Sequence, residues 1–311
     1  MIKKRINKLR YKFLKYGIDG YVVPKNDEFF SEYSNKDRLK FISNFTGSAG
    51  YAIILKNKNY LFVDGRYTIQ ARNQSGKKFK VITIPVKFPK DVLKFKKETV
   101  IGFDPRLHTE KQLNSFFNIK NIKLRSIKQN LVDLVWQNKK VSSVKPFFTI
   151  SSKNTGATSL KKVTQVQNIL FKNKVDYLFV TAPENVAWIL NIRGKDGPNS
   201  PVPNSRLIVS KTKKIFLISK IYKVKKLIKE KIISSKDLID IKDFSKKIIQ
   251  LKGKNFIVDD KSCSIFYEDI INSKFKIVKR EDPTYLFKAI KNKTEIKNMI
   301  DAHILDGAAL T

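Results

Sequence analysis

One cysteine, two histidines and ten arginines stand among 311 residues. A lone cysteine, Cys263, excludes an internal disulfide framework and suits a reducing compartment. Nothing beside it suggests a nucleophile, so it reads as a small buried hydrophobe. His108 and His303 lie far apart in sequence, and no Cys/His cluster has metal-ligand spacing. His303 and Asp306 share a helix face at a spacing of three and read as an ordinary polar pair, not a metal site. No Gly-x-Ser-x-Gly elbow, phosphate-cradling loop or dinucleotide fingerprint is present. The basic start, Met1-Ile2-Lys3-Lys4-Arg5, is not followed by the apolar core of a signal peptide, and no window approaches the ~18 apolar residues of a membrane helix. A soluble, cytoplasmic chain with no membrane partner is expected. From this inventory alone it is not an independent enzyme.

Positive charge is the opposite case. The 64 basic residues face 27 acidic ones, for a formal net charge of +37. That balance suggests nucleic acid, but 54 of the 64 are lysine. Phosphate and base recognition favour the planar fork of arginine, whereas lysine is a point charge that decorates any surface. The lysines run through the whole chain among asparagine and isoleucine, with no arginine-rich helix and no aromatics at stacking spacing. A lysine-biased surface is the preferred reading, and no specific nucleic-acid partner is expected.

The length favours two domains, each able to bury a core at 41% hydrophobic composition. Ile2, Ile6, Leu9 and Phe13 lie at helical spacing, ended by Gly17. Gly20 to Val23 reads as a strand stopped by Pro24. Tyr51–Leu55 and Tyr60–Val63 read as a hairpin. A helix from Thr68 to Asn73 and strands at Lys80–Ile84 and Val100–Phe103 follow. The second half repeats this order. A helix carries Leu160, Val163, Val166, Ile169 and Leu170, and Asp176–Val180 matches Asp19–Val23. The run Trp188 to Gly194 matches Phe41 to Gly47, while Leu207–Val209, Ile215–Ile218 and Phe256–Asp259 repeat the hairpin and the later strand. Two copies of one α/β domain are predicted, divided near Ser142 to Ser152. Asn292 and Glu295 then form a capping-box pattern, opening a helix with Ile296, Met299, Ile300 and Ile304 on one face. It has no polar tail or cap, so a truncated chain is expected.

Three local motifs stand out. Phe45-Thr46-Gly47-Ser48-Ala49-Gly50 packs small residues before a strand, first of all a tight loop-to-strand turn. Asp64-Gly65-Arg66-Tyr67 ends a strand and opens a helix, with Asp64 or Gly65 as cap and Arg66 projecting. Such an arginine binds a carboxylate or peptide carbonyl through its fork, or makes an interdomain salt bridge, and the residues leave both open. Asn191-Ile192-Arg193-Gly194-Lys195-Asp196, followed by Pro198, Pro201 and Pro203, is a rigid loop that fits an interdomain latch or a binding rim.

These segments, together with Asp104-Pro105, Leu107-His108-Thr109, Asn130 to Trp136, Lys288 to Asn292 and His303 to Leu310, occur in an order that resembles the amino-terminal half of an Xaa-Pro aminopeptidase. The resemblance is to the three-domain aminopeptidase P type of the creatinase-like superfamily. It implies an α/β fold of two tandem creatinase-N-terminal-like domains, each a mixed sheet flanked by helices, over residues 1–145 and 146–285. Residues 286–311 would be the first helix of a truncated pita-bread catalytic domain. It also implies a hydrolase that releases the amino-terminal residue from peptides with proline second, using two divalent metal ions, commonly manganese. All the metal ligands would lie beyond Thr311, so no catalytic or metal residue maps onto this chain and the 311 residues alone are expected to be inactive. The one role that maps is substrate binding by Arg66. A homodimer through the missing domain is a further implication. Arg106 departs from the family pattern, and no function attaches to it. The alternative reading is a non-catalytic peptide-binding or chaperone module.

Overall fold

Ile2, Ile6, Leu9 and Phe13 line one side of the helix Ile2–Tyr16, and Gly17 closes it in the left-handed conformation at φ 58°. A computed structural model describes residues 1–31, 33, 36–136, 145–212 and 214–311. The expected division near Ser142 to Ser152 therefore lies partly outside the described residues. The chain forms two compact units, residues 1–142 with 264–266, and residues 143–263 with 267–311.

The first unit is built on six strands: β1 (Gly20–Pro24), β2 (Gly50–Leu55), β3 (Asn59–Asp64), β4 (Lys80–Ile84), β5 (Thr99–Phe103) and β6 (Ile122–Ser126). Their order is β4-β3-β2-β1-β5-β6. β2 and β3 form the expected hairpin, and β1 pairs antiparallel with β2 but parallel with β5. Pro24 ends β1 within the ladder, opposite Tyr51. A strand end tolerates proline because one missing N–H costs a terminal bond only.

Alternation along β1 to β3 sends side chains to both faces. Tyr21, Val23, Ala52, Ile54, Leu61 and Val63 meet the 2–16 helix and the helices Arg38–Ser43 and Leu131–Val135. Val22, Tyr51, Ile53, Phe62 and Ile101 meet Leu113 and Phe117 on the other side. Each buried valine, leucine, isoleucine or phenylalanine among them contributes about 1.5–3 kcal/mol of burial.

The second unit carries β7 (Phe148–Thr149), β8 (Tyr177–Val180), β9 (Ile192–Arg193), β10 (Arg206–Ser210), β11 (Ile215–Ile218), β12 (Leu238–Ile239), β13 (Asn255–Val258) and β14 (Lys276–Lys279). β7 pairs only with β9 among the described residues, and the main sheet runs β12-β11-β10-β8-β13-β14. Strand for strand, this repeats the first sheet, including the direction of every pairing. The helix Ser159–Lys172 buries Val163, Val166 and Leu170, as its spacing predicts, while Leu160 stays exposed.

The repeat extends to caps. Asn44 ends the 38–43 helix at φ 64°, and Asn191 ends the helix Pro183–Leu190 at φ 52°. Both sit in the left-handed region, where asparagine is tolerated better than most residues. The final helix, Lys293–Leu310, opens with the expected capping box, and its apolar residues Ile296, Met299, Ile300 and Ile304 are exposed.

Candidate functional site

The turn after β3 positions the one arginine singled out by the sequence. Asp64 accepts the Arg66 backbone N–H at 3.0 Å, capping a short 3-10 turn over Gly65–Tyr67. The same carboxylate accepts Arg66 Nε at 2.8 Å. This charged hydrogen bond holds the Asp64 carboxyl below the usual carboxylate range. The Arg66 guanidinium lies 5.3 Å from the Tyr67 ring centroid, and its side chain is 71% exposed. Steadied near its base, a long cation is thus presented from the end of a rigid strand.

The small-residue loop forms the other side of this arrangement. Tyr67 Oη lies 2.9 Å from Ser48 Oγ, and its ring meets Phe45 edge-on at 5.8 Å. A Cβ on Gly47 would stand 2.2 Å from Phe45 Cζ and 2.9 Å from Tyr67 Cδ1. Glycine is therefore required by close approach. Gln74 Oε1 accepts the Thr46 N–H at 2.8 Å, and Gln70 Nε2 donates to Thr46 Oγ1 at 2.8 Å. Both glutamines belong to the helix Thr68–Ser75, two residues longer than its sequence expectation. The structure thus brings the 45–48 and 64–67 motifs together as one packed element.

Other motifs prove to be structural. Asp104 accepts from Asn130 Nδ2 at 3.0 Å, and Asn130 caps the 131–135 helix through the Val132 and Asp133 N–H groups. Asp133 then binds Arg38, which is only 2% exposed and also pairs with Glu28. Arg38 was missed in the sequence. Its spacing of four from Ile42 places it on the buried side of its helix, and that was the available signal. Arg106 donates to the Lys128 carbonyl at 2.6 Å. Burial pulls His108 down to about 4, so the ring is neutral near pH 7, and Nδ1 lies 3.3 Å from Gln112 Oε1. Cys263 is fully buried and burial pushes its thiol up, which keeps it protonated.

In the second unit Arg193 Nη1 donates to the Ala187 and Ile192 carbonyls at 3.2 and 2.9 Å. Asp196 accepts the Asn204 N–H at 2.7 Å and pairs with Lys223, pinning the proline-rich loop within its own unit. Among the described residues no three of His, Cys, Asp or Glu are placed to hold a metal ion. No described helix is long and apolar enough to cross a membrane. One cationic groove, about 490 Å³, is lined by Lys3, Arg10, Lys58 and Lys77 among others, without a carboxylate. Arg10 spends two of its donors there on the Leu55 carbonyl and Asn59 Oδ1, each at 2.8 Å.

Comparison with known proteins agrees with this duplicated architecture. Two models of the creatinase/prolidase N-terminal domain match, one over residues 5–133 and the other over 138–295. The chain belongs to the creatinase/prolidase N-terminal domain family and contains two such domains. Within it, the chain is 32% identical to a probable Xaa-Pro aminopeptidase P of Laccaria bicolor, over 99% of this chain and 50% of that protein. It is 30% identical to Xaa-Pro aminopeptidase 1 of Dictyostelium discoideum, over 99% of this chain and 52% of that protein. An X-prolyl aminopeptidase structure from Caenorhabditis elegans, described as a cytosolic enzyme with a di-nuclear active site, matches all of this chain and 55% of its own. Its TM-score is 0.85 at 26% identity. The chain spans about half the length of the curated relatives it matches.

Proposed function

We propose that this chain is the amino-terminal region of a metal-dependent Xaa-Pro aminopeptidase, a hydrolase that removes the first residue of peptides with proline second. The single observation that carries this reading is the likeness over nearly the whole chain to proteins named as such peptidases. In this reading Arg66 is a substrate-binding residue at the rim of the cleft. Its exposure, its anchoring by Asp64 and its place at a strand end support the role. The fork would accept a peptide carbonyl or terminal carboxylate by charge-assisted hydrogen bonds.

The dinuclear centre described for the Caenorhabditis elegans enzyme supports two divalent metal ions, with manganese as the expected metal. The described residues of this chain do not fit such a centre, since no set of ligands converges among them. No chemical step is assigned to them. The metal-bearing catalytic domain, which residues 286–311 would begin, belongs to the rest of the enzyme in this proposal. Dimerisation through that domain and a cytoplasmic location complete it. A direct test is hydrolysis of Ala-Pro-Ala against Ala-Ala-Ala with added manganese. The complete enzyme should release alanine from the proline peptide only, and the 311-residue chain should release none. Cleavage of both peptides by the complete enzyme would sink the assignment.

A further inference from the structure

The second unit contains a buried cation that the proposed peptidase role does not use. Lys162 is 1% exposed. Its ammonium donates to the Trp188 carbonyl at 3.1 Å and to Asn191 Oδ1 at 2.7 Å, and it lies 4.3 Å from the Trp188 ring centroid. All of these partners are uncharged. Buried lysines are ordinarily paired with an anion, because the charge loses its hydration. Glu295 is the acidic group whose charge reaches Lys162, but its oxygens are engaged by the Trp188 indole N–H at 3.2 Å and the Asn292 N–H at 3.0 Å. No described carboxylate forms an ion pair with Lys162 or with Arg193.

Both cations line one cavity of about 390 Å³, together with Trp188, Lys288, Glu184 and Glu295. Of the charged side chains on its wall, four are basic (Lys162, Arg193, Lys288 and Lys291) and two acidic. Arg193 spends Nη1 on main-chain carbonyls, and its fork carries more donors than those two bonds use. The indole adds an apolar face, and Ala187 and Met299 add aliphatic surface. A roomy, half-apolar cavity with two underpaired cations is the environment of a bound organic anion.

We propose that this cavity binds a small organic carboxylate, its charge met by Lys162 and Arg193 and its apolar body packed on Trp188. Burial pulls the Lys162 ammonium down to about 8, so it remains mostly charged at neutral pH, and a bound carboxylate would repay its desolvation. The site stands on the geometry of the second unit and is independent of the peptidase reading.

The chain has two tryptophans, so the indole N–H signals of a nitrogen-15-labelled 311-residue sample separate the site from an internal control. Trp136, stacked on Phe41 in the first unit, is the control. Sodium benzoate should shift the Trp188 signal saturably, with a Kd on the order of 1 mM as expected for so small a ligand. Benzamide, of the same shape without the charge, and sodium chloride at equal ionic strength should leave it in place. Arg193→Gln should weaken the benzoate response about tenfold, and Lys162→Met should abolish it. If Lys162→Met does not fold, Arg193→Gln alone decides. An unshifted Trp188 signal, an equal response to benzamide or chloride, or an unchanged affinity in Arg193→Gln would overturn the proposal.

Discussion

Arg38 and Asp133 meet in a two-pronged ion pair, with Nε and Nη2 of the arginine each 2.9 Å from a different carboxylate oxygen. They are far apart in sequence, so the pair ties the 38–43 helix to the 131–135 helix. Glu28 closes the cluster at 2.5 Å from Nη2. Removing the cation leaves two partly buried carboxylates without it. Arg38→Met should therefore destabilise the first unit by about 3 kcal/mol, read from urea unfolding. A change below a few tenths would show the cluster to be incidental.

The same pair sets a pH dependence. Burial alone would raise the carboxyls of Asp133 and Glu28, but Arg38 overrides it and holds both below their usual range. A carboxyl depressed in the folded state stabilises the fold above its unfolded value, about 4, and loses that contribution as pH falls through the folded value. The melting-temperature gap between the native chain and Arg38→Met should be full at pH 7 and narrow below about pH 4. A constant gap would contradict this linkage.

Arg66→Ala in the complete enzyme should lower kcat/KM on a proline tripeptide by about ten- to a hundredfold, the worth of a charged hydrogen bond. The melting temperature should not move, because the side chain is exposed. Arg66→Lys should recover only part of the activity, since an ammonium lacks the fork. Unchanged kinetics would make Arg66 structural.

Gly47→Ala places a methyl against the Phe45 ring. The ring must move, and a cost of about 2 kcal/mol in stability is expected from overpacking. Because Phe45 supports Tyr67, the variant should also raise KM in the complete enzyme. Wild-type stability would show that the loop yields freely.

At the other end, Asn292 caps the 293–310 helix and its Nδ2 donates to the Thr155 carbonyl at 2.9 Å. Asn292→Ala should cost about 1 kcal/mol and speed hydrogen exchange over the first turn of that helix. Exchange rates unchanged at residues 293–296 would refute it.

Much of this was legible in the chain. The hairpin, the central strands and the internal repeat follow from apolar runs and from Asn44 and Asn191 at matched positions. Of the edge strands only β4, Lys80–Ile84, was. Lys276-Ile277-Val278-Lys279 and Ile122-Lys123-Leu124-Arg125 are too short and too charged to show a clear period, as edges that avoid sticking tend to be. For the site, Asp64 to Tyr67 was readable because cap, turn and arginine are neighbours. The buried cations were harder. Arg38 and Lys162 sit in lysine-rich stretches, where charge suggests surface, and only their spacing of four from Ile42 and Val166 points inward. What they bind lies up to 95 residues away, and no local pattern encodes that.

The shared strand order makes the turn after β11 the topological counterpart of the turn after β3. One reads Asp64-Gly65-Arg66-Tyr67 and the other Ser219-Lys220-Ile221-Tyr222. The aromatic is common to both, whereas the arginine and its steadying carboxylate occur once. The molecule thus carries its own unarmed twin of the proposed cleft residue. Installing Asp, Gly and Arg at 219–221 would ask whether the turn is sufficient to recruit a peptide, a question that deleting Arg66 leaves open.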